Sequence, residues 1–141
     1  MENKLTGRSL AIVAGLMCLM TLGGCGSSYQ QPEVMLDARP EIYPDYAGVV
    51  MPVNIAPLNF LVKEEGEEFQ LAVVLDGERR MVLCNTDGKM QMPESDWKEL
   101  LADAAGKEIA FQVAVKRNGK WEGYQEILNT VSPDAIESSL L

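Results

Sequence analysis

The cysteine at position 25 follows Leu22-Gly23-Gly24, and the chain turns polar directly after it at Gly26-Ser27-Ser28. The thiolate is the nucleophilic form of cysteine, and small neighbours leave the backbone open to an approaching peptidase. Such a position offers alkylation of sulfur and cleavage of the bond just before it. Other chemistry is scarce. The chain contains no histidine, which removes the commonest general base, the Ser-His-Asp and Cys-His arrangements and most zinc sites. It has no glycine-rich phosphate loop. Carboxylates occur in pairs, Glu67/Glu68 and Asp96/Glu99, but in a turn and on a helix-capping face. Solvated charge is their expected role, not the acid and nucleophile of a glycosidase. The run Glu64-Glu65-Gly66-Glu67-Glu68 lacks the ligand spacing of a calcium loop. The sequence therefore shows no active site, no metal site and no sign of an enzyme.

What lies before Cys25 gives that cysteine its meaning. Met1 to Arg8 carries Lys4 and Arg8 against Glu2, Leu10 to Leu22 is apolar or small except for Thr21, and two glycines follow. This is the basic, apolar, small-residue order of a secretory signal peptide. As a helix the apolar run would reach about 20 Å, short of the roughly 30 Å core of a bilayer. Leu22, Gly23, Gly24 and Cys25 together resemble a bacterial lipobox. The resemblance implies that Cys25 is joined through a thioether to diacylglycerol, that residues 1–24 are then removed, and that the new amine is acylated. Two or three chains, at about 0.8 kcal/mol per buried CH₂, anchor firmly where one would not. No cofactor beyond this covalent lipid is expected. Gly26 instead of Asp after the cysteine favours the outer membrane, and the lack of an acidic cluster there favours its periplasmic face.

Removal of residues 1–24, which hold Lys4, Arg8 and Glu2, takes the net charge from −9 to −10. One small domain fits the remaining length. An acidic surface repels nucleic acid and anionic headgroups, so neither is an expected partner. With Cys18 removed and Cys25 lipidated, only Cys84 remains, so the mature chain is expected to form no internal disulfide. In the apolar stretch "MVLCN", Cys84 reads as a small buried hydrophobe.

Residues 25–46 read as the lipidated cysteine and a flexible tether, with Pro32, Pro40 and Pro44 each lacking a backbone donor. Val49–Val62 is rich in β-formers, and Pro52 and Pro57 confine it to an edge strand or to two short strands joined by a kink. "FQLAVVLD" places Phe69, Leu71, Val73 and Leu75 on one face of a strand. Asp76-Gly77 turns it into "RRMVLCN" as a hairpin, and Asp87-Gly88 leads to a short strand at "KMQMP". Ser95 is the expected cap of a helix whose apolar face is Trp97, Leu100, Leu101 and Ala104, with Gly106 placed to end it. "EIAFQVAVK" alternates Ile109, Phe111, Val113 and Val115 against Ala110, Gln112, Ala114 and Lys116. Asn118-Gly119 then predicts a type I′ turn into one returning strand, Trp121–Val131.

Several short strands and one helix over residues 47–133 predict a mainly β domain, an immunoglobulin- or fibronectin-like β-sandwich with one inserted helix. The alternative is α+β, an antiparallel sheet with the helix packed on one face. Residues 134–141 read as the start of a further segment. The aromatic side chains of Trp121 and Tyr124 on the last strand are the one candidate for ligand stacking, against a sugar ring or a partner, although core packing is the expected role of Trp121.

"YPDYAGVVMPVNIAPLNF" (Tyr43–Phe60), "WKELL" (Trp97–Leu101) and "NTVSP" (Asn129–Pro133) resemble a set of lipoproteins of Gram-negative gut bacteria. In that set a β-rich domain precedes a larger domain similar to a TolB-type β-propeller. The resemblance spans about residues 40–141 and implies architecture more than activity. The expected function is a lipid-anchored, non-catalytic module of the cell envelope, serving protein interaction or support. A carbohydrate-binding module presenting Trp121 and Tyr124 is the alternative, and a hydrolase using Glu67 or Glu68 is a third.

Overall fold

The computed structural model describes residues 28–135; the expected leader and lipobox, Leu22 to Cys25, and residues 136–141 lie outside the described residues. Ten strands and one helix follow in chain order. The strands are β1 (Val34–Met35), β2 (Ile42–Tyr43), β3 (Val50–Pro52), β4 (Phe60–Val62), β5 (Glu68–Leu75), β6 (Glu78–Asn85) and β7 (Lys89–Met90), then β8 (Glu108–Arg117), β9 (Lys120–Gly123) and β10 (Ile127–Ser132). The helix α1 (Glu94–Asp103) lies between β7 and β8. Over the described residues the protein is mainly β, a β-sandwich of two sheets with a single helix.

The long strand β8 is the spine of the larger, seven-stranded sheet. One edge of β8 pairs antiparallel with β5 along eight residues, and β5 continues to β6. Its other edge is shared, with β9 on the C-terminal half and β10 on the N-terminal half. The odd-numbered residues Ile109, Phe111, Val113 and Val115 face inward and are almost fully buried, as their alternation requires. Both predicted tight turns form, with positive φ at Asp76 and Asn118 as well as at the glycines after them.

The smaller sheet runs β2-β4-β7, all antiparallel. It contributes Ile42, Phe60, Val62 and Met90 to the same buried cluster as the inner face of the larger sheet. Phe60 stacks on Phe111 with centroids 5.9 Å apart, which ties the two sheets together. The helix closes the cluster with Trp97, Leu100, Leu101 and Ala104, the predicted face. The Trp97 indole N–H donates to the Ile55 carbonyl at 3.0 Å and pins the β3–β4 connection. Val49–Val62 does split into two short strands, which enter different sheets, and Pro52 sits on the edge strand β3, where no ladder donor is needed.

Four expectations are corrected. The helix starts one residue earlier than Ser95: Pro93 occupies the cap position and no side chain caps the free N–H groups. The returning strand Trp121–Val131 is not continuous. Between the pairs Gly123–Ala114 and Ile127–Phe111 it advances four residues while β8 advances three, a bulge that separates β9 from β10. The acidic turn at residues 64–68 keeps Glu65, Gly66 and Glu67 exposed, but it is tied to the β8–β9 hairpin instead of standing free of it. Glu64 approaches Arg117, Glu67 accepts from the Asn118 N–H, and Glu68 approaches Lys116.

The largest correction concerns residues 25–46, expected as a tether. Within their described part, β1 pairs in parallel with β9 and β2 pairs with β4, so this segment belongs to both sheets. The physical reason is that residues far along the chain supply the missing hydrogen-bond partners. Glu33 N–H donates to Trp121, Leu36 N–H to Gly123 and Lys63 N–H to Glu41. The bulged Gln125 binds the same segment, donating through its backbone to Ala38 and through its side chain to Asp37.

Candidate functional site: the strapped face of the larger sheet

The middle of the outer face of the larger sheet is built from small or uncharged side chains. Gln70 and Ala72 on β5, Ala114 on β8 and Gly123 on β9 lie there, all buried. Side chains of this size leave a shallow trough, and residues 29–36 lie across it as a strap. Three contacts fix its course. The Tyr29 ring lies under the Arg79 guanidinium, 4.0 Å from ring centroid to carbon, a cation–π contact at β6. The Gln70 side-chain oxygen accepts from the Gln30 N–H at 2.7 Å, while its amide donates to the Gln30 carbonyl at 3.0 Å. Gln70 thus presents to Gln30 the donor and acceptor that a neighbouring strand would. At the far side, a Cβ on Gly123 would lie 2.7 Å from Met35 Sδ and 3.0 Å from Pro32 Cγ. Only glycine lets the strap settle onto β9.

A cavity of about 190 Å³ remains beneath the strap, lined by Tyr29, Gln31, Met35, Gln70, Gln112 and Glu126 among others. Within it the Gln112 amide donates to Glu126 at 3.2 Å. A shallower depression on the open half of the same face runs past Val74, Ala110 and Leu128.

The candidate stacking residues do not form a platform. Trp121 is 7% exposed and Tyr124 6% exposed, so neither offers a free ring face. The two rings are also separated in role. Tyr124 joins the central cluster, whereas Trp121 shares the outer face with Gly123, on the strand that β1 covers. The Tyr124 hydroxyl instead accepts from Arg117 at 2.6 Å. Arg117 also donates to Glu122 at 2.7 Å and to the Glu65 carbonyl at 2.7 Å. Burial works against the Arg117 charge, but the hydrogen bonds to Glu122 and Tyr124 outweigh it and raise its pKa. Burial also pushes the Tyr124 phenol up, against the opposing effect of the Arg117 hydrogen bond. Arg117 is a clasp that holds the 64–67 turn to the hairpin.

The carboxylate pairs are likewise not brought together as acid and nucleophile. Glu67 and Glu68 bind different partners, and Asp96 and Glu99 are exposed on the helix. Among the described residues, no group of three or more His, Cys, Asp or Glu could hold a metal ion. One buried side-chain group among them lacks a partner, Asn129 Nδ2, although Asn129 Oδ1 accepts from the Val49 N–H at 2.9 Å. Cys84 is half-buried in β6 and disulfide-bonded. This corrects the reading of it as a plain buried hydrophobe. That reading had counted Cys18 as removed and Cys25 as lipidated.

No family model, curated protein or solved structure matches this chain. The fold and site define a β-sandwich with one helix whose N-terminal segment is strapped over the outer face of its larger sheet.

Proposed function

We propose that the chain is a lipid-anchored, non-catalytic module of the bacterial cell envelope, serving support or protein interaction. The observation that carries this reading is Leu22-Gly23-Gly24-Cys25 behind a basic and apolar leader. The membrane is its first partner, through the lipid on Cys25, and an envelope protein is its second. Gly26 favours the outer membrane as its location, and the lack of an acidic cluster after Cys25 favours the periplasmic face. In a longer protein of the kind the sequence resembles, it would be the domain ahead of a propeller. Burial of Trp121 and Tyr124 leaves a carbohydrate-binding reading without its platform.

The test is the mass of the mature N-terminal peptide, with and without reduction, together with detergent phase partitioning. A diacylglyceryl and N-acyl mass on Cys25, lost along with detergent partitioning in Cys25→Ser, is the expected result. A Cys25 that is unmodified or held in a disulfide with Cys84, or a retained Met1, would overturn it.

A further inference from the structure

We propose that the open half of the larger sheet's outer face is a groove for an extended, cationic segment of a partner protein. This rests on the reading of the chain as an interaction module and not on the anchor at Cys25.

The groove follows from register. The outward residues Glu108, Ala110 and Gln112 of β8 form its floor. Ala110 lies between Val74 of β5 and Leu128 of β10, its direct cross-strand partners. A methyl between two larger aliphatic groups leaves a hollow about 10 Å from wall to wall, since neighbouring strands lie about 4.8 Å apart. Leu128 is 45% exposed, and Val50, beyond Thr130 on the edge strand β3, is 70% exposed. Apolar groups gathered in the open on one sheet face mark an interaction surface. The hollow encloses about 370 Å³. Gln112 and Glu126 line both it and the cavity beneath the strap, so the strap closes one end of a single trough.

Charge selects the occupant. Each end of the open half carries an exposed carboxylate, Glu108 at one and Glu126 at the other. Glu126 accepts from the neutral Gln112 amide, and neither carboxylate meets a cation among the described residues. The nearby cations are already engaged, Arg79 with Tyr29 and Lys107 with Asp76. A second copy of the chain would press carboxylates onto carboxylates, and an anionic lipid surface is repelled for the same reason. A cationic polypeptide gains at both ends. Glu108 and Gln112, the partner of Glu126, are four residues apart on β8, about 13 Å at about 3.3 Å per residue. An extended chain with Lys or Arg at i and i+4 spans that length. It turns residue i+2 to the same side, over Ala110, where a small aliphatic group fits between Val74 and Leu128.

The test titrates the full chain, in non-ionic detergent, with a peptide of three Lys-Ser-Val-Ser repeats and a final Lys, followed by amide NMR shifts. The expected result is saturable binding with shifts concentrated at Ala110, Gln112 and Leu128. Replacing each valine of the peptide by serine should weaken binding at least fivefold. Glu108→Gln with Glu126→Gln should do the same, as should Leu128→Lys. These side chains are exposed, so the variants should keep the fold, which the spectra report directly. Asp96→Asn with Glu99→Gln removes equal charge from the helix and should leave binding unchanged. No saturable binding, equal binding of the two peptides, or equal weakening by the helix pair overturns the proposal, the last by showing attraction to net charge alone. Such a result leaves the anchor standing, because the N-terminal peptide mass decides that separately.

Discussion

The side chain of Gln70 and the backbone of Gln30 exchange two hydrogen bonds, at 2.7 and 3.0 Å, across 40 residues of sequence. Gln70 is 1% exposed, so both of its polar atoms would be stranded without that partner. Replacing it with alanine removes the lock and leaves the Gln30 groups to find water. Gln70→Ala should lower stability by about 1–3 kcal/mol. Hydrogen exchange should quicken at residues 29–36 and stay slow at β8. Unchanged exchange in the strap would show that Tyr29 and Gly123 hold it without Gln70.

Gly66 approaches the hairpin so closely that an added Cβ would lie 2.2 Å from Val115 Cγ1 and 3.0 Å from the Lys116 carbonyl. Val115 is fully buried and the second obstacle is backbone, so neither can yield cheaply. Gly66→Ala should therefore cost about 1–3 kcal/mol by overpacking, measured by urea unfolding. Alanine at exposed Gly119 meets nothing within 4 Å and serves as the control for positive-φ strain alone.

Phe60 and Phe111 are the point at which the two sheets touch ring to ring. Phe111→Ala should cost about 3–5 kcal/mol through lost burial and the cavity left behind. A double-mutant cycle with Phe60→Ala should return a coupling of about 0.5–1.5 kcal/mol for the aromatic pair. A coupling near zero would mean that the sheets are held by area alone.

The Tyr124 phenol has a folded-state pKa above its ordinary value of about 10, chiefly through burial. A raised pKa means that the folded state keeps the proton after the unfolded chain has released it. The associated stability is complete below about pH 10 and is lost as pH climbs through the folded-state value. The denaturation midpoint should thus fall above pH 10, and Tyr124→Phe should flatten that fall while loosening Arg117. An identical alkaline limb in the variant would assign the loss to other groups.

Much of the fold was legible because it is governed by local periods. The alternation of Ile109, Phe111, Val113 and Val115 fixes the inner face of β8. Asp76-Gly77 and Asn118-Gly119 accept the positive φ that their turns need. The spacing of Trp97, Leu100, Leu101 and Ala104 marks the buried side of the helix. The strap was not legible, because β1 is two residues long and its parallel partner β9 lies 88 positions away. A trace of it was present. Between Glu68 and Glu108, which open β5 and β8, and Lys116 near the end of β8, the outward positions of the two strands carry Gln70, Ala72, Val74, Ala110, Gln112 and Ala114, none of them charged. An outer face so small and neutral is one that something covers.

The sequence by itself determined the strand and helix periods, the tight turns and the acidic balance, because each depends on composition or on residues close together in the chain. Only the tertiary structure decided where residues 29–46 go, that the 64–68 carboxylates serve Arg117, Asn118 and Lys116, and that Trp121 and Tyr124 are covered. Those outcomes depend on hydrogen-bond partners and packing surfaces about 20 to 90 positions apart, which no local pattern encodes.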